Sequence, residues 1–253
     1  DYIQKAPKSI RTKRKELIDV ISILAKEKKV YAHKLNSSYI NINTVDDWKH
    51  AKFLSNKTHF NSYRKSLVIP SYNEVESLPF VINDFKDMVD EIIIADGGSK
   101  DGTIEKISHF ENDINLKIIR GKFAGYGEAL RRGIDQASGD IVILVEGDAT
   151  FRSRDIHKMY EYIKDCDMVI GTRTTKELIS QAANMSTGLR VANLLVAKFI
   201  ELLWIKIEPR LTDVGCTYRT FWKSEYDEIK QNFIGLGPEF SPEMIIEFLR
   251  NDK

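Results

Sequence analysis

The chain has 253 residues, 42% of them apolar, which is enough to bury a large core and excludes a disordered polypeptide. Its net charge of +1 conceals an asymmetry: residues 1–65 carry 15 Lys/Arg against 6 Asp/Glu, and residues 66–253 carry 23 against 31. The basic groups lie along ordinary helical faces, so a solvated surface is the reading and no nucleic acid partner is expected.

In chain order, Ile10, Leu17, Ile18, Ile21 and Leu24 fall at helical spacing and predict a helix over 9–28, followed by a strand-like Val30 to Ala32. Tyr39 to Asn43 reads as a short strand. Thr44 reads as the N-cap of a helix to about Leu54, with Asp46 and Asp47 in its first turn. The polar run Ser55 to Lys65 is the predicted boundary. Beyond it strands over 66–70, 91–95, 116–120, 141–145 and 167–170 alternate with helices over about 75–88, 101–110, 124–137 and 153–164. Alternation of this kind predicts an α/β domain with a parallel sheet covered by helices. After Arg173 come a long amphipathic segment, roughly 176–204, then Leu211 to Arg219 and a helix near 223–231. A Gly/Pro loop leads to a last helix announced by Ser241 as cap, Pro242 and Glu243.

Cys166 and Cys216 make neither a disulfide framework nor a metal-ligand spacing, which fits a reducing cytoplasm. Nothing resembles a signal peptide, and Leu189 to Ile205, the most apolar stretch, is too often interrupted by Arg190, Asn193, Lys198 and Glu201 to span a membrane. The chain starts at Asp1 and stops at Lys253 just after an apolar helical pattern, and so reads as a piece of something longer.

Three apolar runs stop abruptly at polar residues: Leu67 to Ile69 before Pro70-Ser-Tyr-Asn-Glu74, Ile92 to Ala95 before Asp96, and Ile141 to Val145 before Glu146-Gly-Asp148. Buried parallel strands read this way, and ligands bind outside their carboxyl ends. Glu74, Asp96 and Asp148 are therefore expected to converge on one pocket suited to a divalent cation and a phosphorylated ligand. Glu146 and Asp148 point the same way along an extended turn while Gly147 lets the backbone pass; a solvated strand end is the plainer account. Asp96 to Gly102 places glycines and hydroxyls at a strand-to-helix turn, suited to an anion or a base edge, with Asp101 as a cap of the next helix. Pro70 to Glu74 sets an aromatic face beside an acid, for a nucleoside, or forms a plain loop with Asn73 as a cap. Gly121 to Gly127, ahead of Arg131 and Arg132, is a glycine-rich helix start without dinucleotide or P-loop spacing. Arg173 offers paired donors to a diphosphate or, equally, to a surface acid.

With these motifs in this order, residues 66 to about 250 resemble family 2 glycosyltransferases of the GT-A fold, especially the branch like dolichol-phosphate mannosyltransferase. The resemblance rests on the I-P-x-Y-N-E opening, the D-G-S-x-D-G-T turn, the helix start with Gly125, Gly127, Ala129, Leu130 and Arg131, and the acidic position at Asp148. It implies a three-layer α/β fold of the nucleotide-diphospho-sugar transferase kind with a mostly parallel central sheet, plus a small N-terminal α/β segment. It also implies that Pro70, Tyr72 and Glu74 line a nucleoside pocket, that Asp96 reads the base, and that Asn73, Gly125, Gly127 and Arg131 belong to the substrate site. Asp148 would ligate Mg2+ or Mn2+ on the donor diphosphate, with Glu146 beside it and Thr150 near the metal. Arg173 and Arg190 look like the family's phosphate-contacting arginines, and Asp213 matches an acidic segment near the transferred sugar. The sequence departs from the pattern at Gly97, where many members have a second Asp, at Tyr126, where many have Lys, and at Glu146, where many have Asp. Relatives also continue into an acceptor-side segment beyond the point where this chain stops.

Lys13 to Leu17, Lys29 to Ala32 and Ile40 to Asp47 resemble the closing segment of sugar-phosphate or MobA-like nucleotidyltransferases, without their glycine-rich nucleotide loop. The implied division is a nucleotidyltransferase remnant over 1–60 and a C-terminally truncated glycosyltransferase domain over 61–253, with an upstream nucleotidyltransferase domain in the parent chain. The expected reaction is inverting transfer of a sugar from a nucleoside diphosphate donor to a lipid phosphate or a saccharide. A polyprenyl phosphate is already anionic and needs no base, whereas for a hydroxyl acceptor Asp213 or Glu239 must take the proton. Leu189 to Trp204 suits grazing the inner face of a membrane and, equally, a buried core helix. The rival expectations are a catalytically silent nucleotide-binding domain fused to a nucleotidyltransferase, and a parent protein whose main activity is nucleotidyl transfer.

Overall fold

A computed structural model describes residues 2–11, 13–31, 33–34, 39–112, 114–173, 187–207 and 209–253. Contacts divide the chain into two compact units, 1–43 and 44–253. The division falls ahead of the helix Val45–His59, not in the polar run Ser55 to Lys65 where the boundary was predicted.

The first unit contains α1 (Tyr2–Lys5) and α2 (Leu17–Glu27), joined where the Lys15 ammonium donates to the Ile3 and Gln4 carbonyls at 2.8 and 2.6 Å. The predicted helix over 9–28 loses its first half to the charged run Arg11 to Lys15, and Ile10 is left 91% exposed. No strand forms among the described residues of 30–34 and 39–43. Ala6 is the one buried apolar residue among those described in this unit, so the predicted short strands have no core face to bury.

The second unit opens with α3 (Val45–His59), where Thr44 caps as predicted: its hydroxyl accepts the Asp47 amide at 3.1 Å and the Asp47 carboxylate accepts the Thr44 amide at 2.9 Å. A six-stranded sheet follows, built from β1 (Lys65–Ser71), β2 (Glu91–Asp96), β3 (Leu116–Arg120), β4 (Ile141–Leu144), β5 (Met168–Ile170) and β6 (Arg219–Trp222) in the order β3-β2-β1-β4-β6-β5. The first four strands are parallel. β6 runs antiparallel between β4 and β5.

Alternation along each strand makes the three layers. Leu67, Ile69, Ile92, Ile94, Ile141 and Ile143 face α4 (Leu78–Phe85), α5 (Thr103–Ile107) and α7 (Ile156–Tyr162). Val68, Ile93, Val142, Leu144 and Phe221 face α6 (Tyr126–Gln136), α9 (Lys223–Ile229) and α10 (Phe240–Arg250). A smaller cluster joins Ala197 and Ile200 of α8 (Thr187–Leu203) to Ile245 and Leu249. The rest of the predicted amphipathic segment, 176–186, lies outside the described residues.

Two local readings are corrected. β6 was not predicted, because a charged residue sits at its head. Arg219 is 1% exposed, and its guanidinium is satisfied by the carbonyls of Cys216 (2.8 Å), Val214 (2.9 Å) and Ser241. Ser241 does not cap α10; the helix starts at Phe240. No side chain caps it; the acids hold the loop ahead of the helix, Glu239 accepting the Leu236 and Gly237 amides and Glu243 those of Ile234 and Gly235.

Candidate active site

The carboxyl ends of β1, β2 and β4 open onto one cavity of about 760 Å³. Its lining includes Pro70, Ser71, Tyr72 and Glu74 after β1, Gly97, Gly98 and Lys100 after β2, and Glu146, Gly147 and Asp148 after β4. Lys122, Phe123, Gly125 and Tyr126 close the side at the start of α6.

The loops are tied to one another. Asn73 sits in the left-handed region at φ 57°, its amide donating to Ser99 Oγ (2.8 Å) and its side-chain oxygen accepting the Lys100 amide (2.9 Å). Asn73 thus braces two loops and caps no helix. The Glu74 amide donates to Thr103 Oγ1 at 2.9 Å, and the Glu74 carboxylate accepts the Ser77 hydroxyl at 2.6 Å. Asp101 stands one residue before Gly102, the N-cap of α5, and accepts the Thr103 amide at 3.0 Å. Ala149 follows Asp148 at φ 61°, a non-glycine residue held in a region that costs about 1–2 kcal/mol, and the Asp148 carboxylate accepts the Thr150 amide at 2.9 Å.

Of the residues singled out from sequence, Pro70, Tyr72, Glu74, Gly125, Glu146 and Asp148 line the cavity. Asp96 does not. It is 1% exposed, and its carboxylate is consumed by its own turn, accepting the Gly98 amide (2.9 Å), the Ser99 amide (3.1 Å) and the Ser99 hydroxyl. Asp96 builds the loop and leaves no edge free for a base. Gly125 and Gly127 are glycines for a different reason from the one predicted. The Leu236 carbonyl accepts the amides of Gly127 (2.8 Å) and Glu128 (3.1 Å), so the start of α6 is capped by protein. A Cβ on Gly127 would come within 2.9 Å of the Gly235 and Gly237 carbonyls. Arg131 is not part of the cavity lining; its charge acts on Tyr226 and Glu128.

Asp213 and Arg173 form a pair beside the cavity, not two separate groups. Arg173 Nε lies 2.9 Å and Nη2 3.2 Å from the two Asp213 oxygens, which also accept the backbone amides of Arg173 (3.0 Å) and Gly215 (3.1 Å). Burial works against the Arg173 charge, but the Asp213 hydrogen bonds outweigh it and the guanidinium pKa is raised. Asp213 therefore holds Arg173 and is not an unclaimed proton acceptor. Asn193 of α8 approaches the same Gly215. Arg190, one turn earlier, has its Nε buried with no partner among the described residues. Glu239 serves its own loop, and its backbone hydrogen bonds, led by Gly237, lower its pKa.

Glu146 is the most perturbed acid of the cavity. Burial pushes its pKa up, the charges of Asp148 and Glu74 add to that, and the Thr217 hydrogen bond and Arg173 oppose it. Its carboxylate accepts the Thr217 hydroxyl, which is itself hydrogen-bonded to the hydroxyl of the partly buried Tyr126. Among the described residues no three His, Cys, Asp or Glu side chains gather into a cage for a cation. Exposed Asp148 at the mouth of a strand still fits Mg2+ or Mn2+ of the kind bound through one or two carboxylates plus substrate phosphates. Thr150 contributes its backbone amide to Asp148.

Lining residues that were not assigned to the site from sequence include Ser71, Lys100, Lys122 and Phe123. Ser71 is the most informative, being 6% exposed with a hydroxyl that has no partner among the described residues. Its position inside Pro70 to Glu74, between Pro70 and Tyr72, both assigned to the pocket, was the available signal.

The model of Glycosyl transferase family 2 matches residues 66–224. The glycosyltransferase AglJ of Haloferax volcanii is 27% identical over 72% of this chain and 57% of its own length. Dolichol-phosphate mannosyltransferase of Pyrococcus furiosus is 34% identical over 44% of this chain and 33% of its own. The chain thus spans about a third to somewhat over half of these relatives. Glucosyl-3-phosphoglycerate synthase of Mycobacterium tuberculosis, solved with Mn2+, UDP-glucose and phosphoglyceric acid, superposes with a TM-score of 0.58 at 17% identity, over 84% of this chain and 71% of that one. That likeness establishes the GT-A fold. The matched segment contains every residue lining the cavity and, but for Lys65 at the head of β1, every strand, and the chain belongs to glycosyl transferase family 2.

Proposed function

We propose that the cavity binds a nucleoside diphosphate sugar with Mg2+ or Mn2+ and that the sugar passes, with inversion, to a polyprenyl phosphate. The observation that carries this reading is the meeting of Glu74, Glu146 and Asp148 with the exposed Tyr72 ring in one cavity at the strand ends. Tyr72 stacks on the base, above the room left by Gly97, whose missing Cβ would sit 3.4 Å from that ring. Ser71 turns its hydroxyl to the nucleoside, and Lys100 and Lys122 supply positive charge at the rim. Asp148, with Glu146 close by, holds the cation. A divalent ion there neutralises charge on the leaving diphosphate, worth several kcal/mol.

The acceptor follows from the side chains that are already engaged. The two candidate bases, Asp213 and Glu239, have their carboxylates committed to Arg173 and to loop amides. A hydroxyl acceptor would need one of them to take its proton; a phosphate oxygen arrives without one. The exposed apolar side of α8, with Val191, Leu195, Phe199, Leu202 and Leu203 between 53% and 66% exposed, suits a surface from which a lipid is presented. No helix among the described residues is long and apolar enough to cross a membrane. The relation of residues 1–60 to a nucleotidyltransferase end, and an activated-sugar or alcohol synthase upstream, belong to the same proposal.

The test is a panel of nucleotide sugars with Mn2+ and a polyprenyl phosphate, assayed for sugar-lipid product. Product that disappears with Asp148→Ala supports the reading. Nucleotide binding without transfer to any acceptor makes the domain a silent scaffold.

A further inference from the structure

Two of the three departures from the family pattern touch a common partner. Tyr126 stands where many relatives carry Lys, and Glu146 where many carry Asp; both side chains end on the hydroxyl of Thr217. Thr217 is 2% exposed and precedes β6, the neighbour of β4 on the side away from β1. Its hydroxyl has one proton, given to Glu146, and accepts the proton of Tyr126, so both hydroxyls are oriented and the chain of bonds runs one way from Tyr126 to Thr217 to Glu146. Tyr126 is itself partly buried at the cavity wall, its ring packed against the core beneath α6.

This chain of bonds draws Glu146 toward β6. Glu74 lies on the opposite side, its Cγ 3.4 Å from the point a Cβ on Gly147 would occupy. Asp148 projects beyond both, exposed at the cavity, with one oxygen on the Thr150 amide. The extra methylene of Glu146 is thus taken up by a reach to Thr217 and not by a reach to a cation. The absence of a three-ligand cluster among the described residues agrees with this placement.

We propose that Tyr126 and Thr217 are positioning residues that tether Glu146 away from the metal, leaving Asp148 as the carboxylate that ligates it. This rests on the donor-site reading given above, and it corrects the pairing of Glu146 with Asp148 as joint ligands.

The test is Mn2+ titration by electron paramagnetic resonance, with UDP, GDP and CDP added in turn, on the full 253-residue chain and five variants. Asp148→Asn weakens Mn2+ binding by at least about tenfold, while Glu146→Gln changes it less than about threefold. Thr217→Val releases Glu146, Tyr126→Phe removes the bond that orients the Thr217 hydroxyl, and both alter Mn2+ affinity or the spectrum of the bound ion, Thr217→Val the more. Thr217→Ser keeps the hydroxyl and restores wild-type behaviour, a rescue that a purely structural role for Thr217 would not require. Thermal melts on all five identify any variant that has lost its fold, and Glu146→Gln, which removes no packing, decides the matter if the Thr217 variants fail. Loss of Mn2+ in Glu146→Gln as severe as in Asp148→Asn overturns the tether, as does Thr217→Val behaving like wild type. Wild-type protein that takes up neither Mn2+ nor any of the three nucleotides overturns the donor-site reading itself.

Discussion

Arg173 closes on Asp213 through both carboxylate oxygens, and the Asp213 side chain has no solvent-accessible surface left. A buried pair of this kind contributes little against two well-packed apolar residues, but breaking one half strands the other. Arg173→Ala is accordingly expected to lower stability by about 3–5 kcal/mol in urea unfolding, more than Asp213→Ala, since the Asp213 carboxylate it strands stays buried, whereas a stranded Arg173 is partly exposed and its charge regains water. Equal losses from the two would mean that the ion pair is not what holds this corner.

At the mouth of the cavity the balance is reversed. Asp148 is exposed and makes one hydrogen bond to its own turn, so Asp148→Ala should shift stability by no more than about 0.5 kcal/mol while Mn2+-dependent transfer falls on the order of a hundredfold. Unfolding curves and initial rates on the same preparation separate the two effects.

Gly127 and Gly188 give a matched contrast. A methyl at 127 meets the Gly235 carbonyl at 2.8 Å, Phe240 Cβ at 2.8 Å and the Gly237 carbonyl at 2.9 Å, two of them unyielding backbone, whereas at 188 it meets nothing within 4 Å. Gly127→Ala should destabilise by about 1–3 kcal/mol, and Gly188→Ala should stabilise α8 by about 0.5–1 kcal/mol. Differential scanning calorimetry shows whether the signs differ.

Glu91 gives the fold an acid-labile clip at the opposite end of the sheet. Its carboxylate is buried, which opposes its charge, yet hydrogen bonds from Lys117 (2.7 Å), Ser66 and Ser138 bring its pKa down to about 2. A depressed folded-state value means stability that is complete above the unfolded-state pKa near 4.5 and is lost as pH falls through 2. Because the Lys117 end of the pair is part-exposed and screened, the contribution is discounted to about 2 kcal/mol. Stability measured from pH 5 to pH 2 should fall for wild type and flatten for Glu91→Gln.

The apolar side of α8 predicts a lipid-surface phenotype. Replacing exposed Leu195 and Phe199 by Glu should reduce flotation with vesicles containing anionic lipid and leave hydrolysis of a water-soluble donor unchanged. Unaltered flotation would detach α8 from the acceptor side of the proposal.

The strands of this protein were legible because burial on both faces writes an unbroken apolar run, as in Leu67 to Ile69 and Ile141 to Leu144. β6 was not, since Arg219 is made compatible with the interior by the Ser241 carbonyl, a partner 22 positions further along the chain. The same distance effect hid the reason for Gly125 and Gly127, whose neighbours lie in residues 235–237. Asp96 misled for a local reason: an acid at a strand end satisfies the following turn as readily as a ligand, and Gly98 and Ser99 claim both of its oxygens.

The strand order β4-β6-β5 makes the sheet's last edge wait on a distant stretch of polypeptide. β5 ends at Ile170, but its ladder partner begins at Arg219, so a ribosome must add about fifty more residues before that edge can dock, the whole of α8 among them. Until then the first four strands already hold the floor of the cleft, while the Arg173 corner, which needs Asp213, is still unmade. The floor of the cleft and the Arg173 corner are therefore completed at different moments of translation, and the α6 wall, which leans on the Leu236 carbonyl, later still.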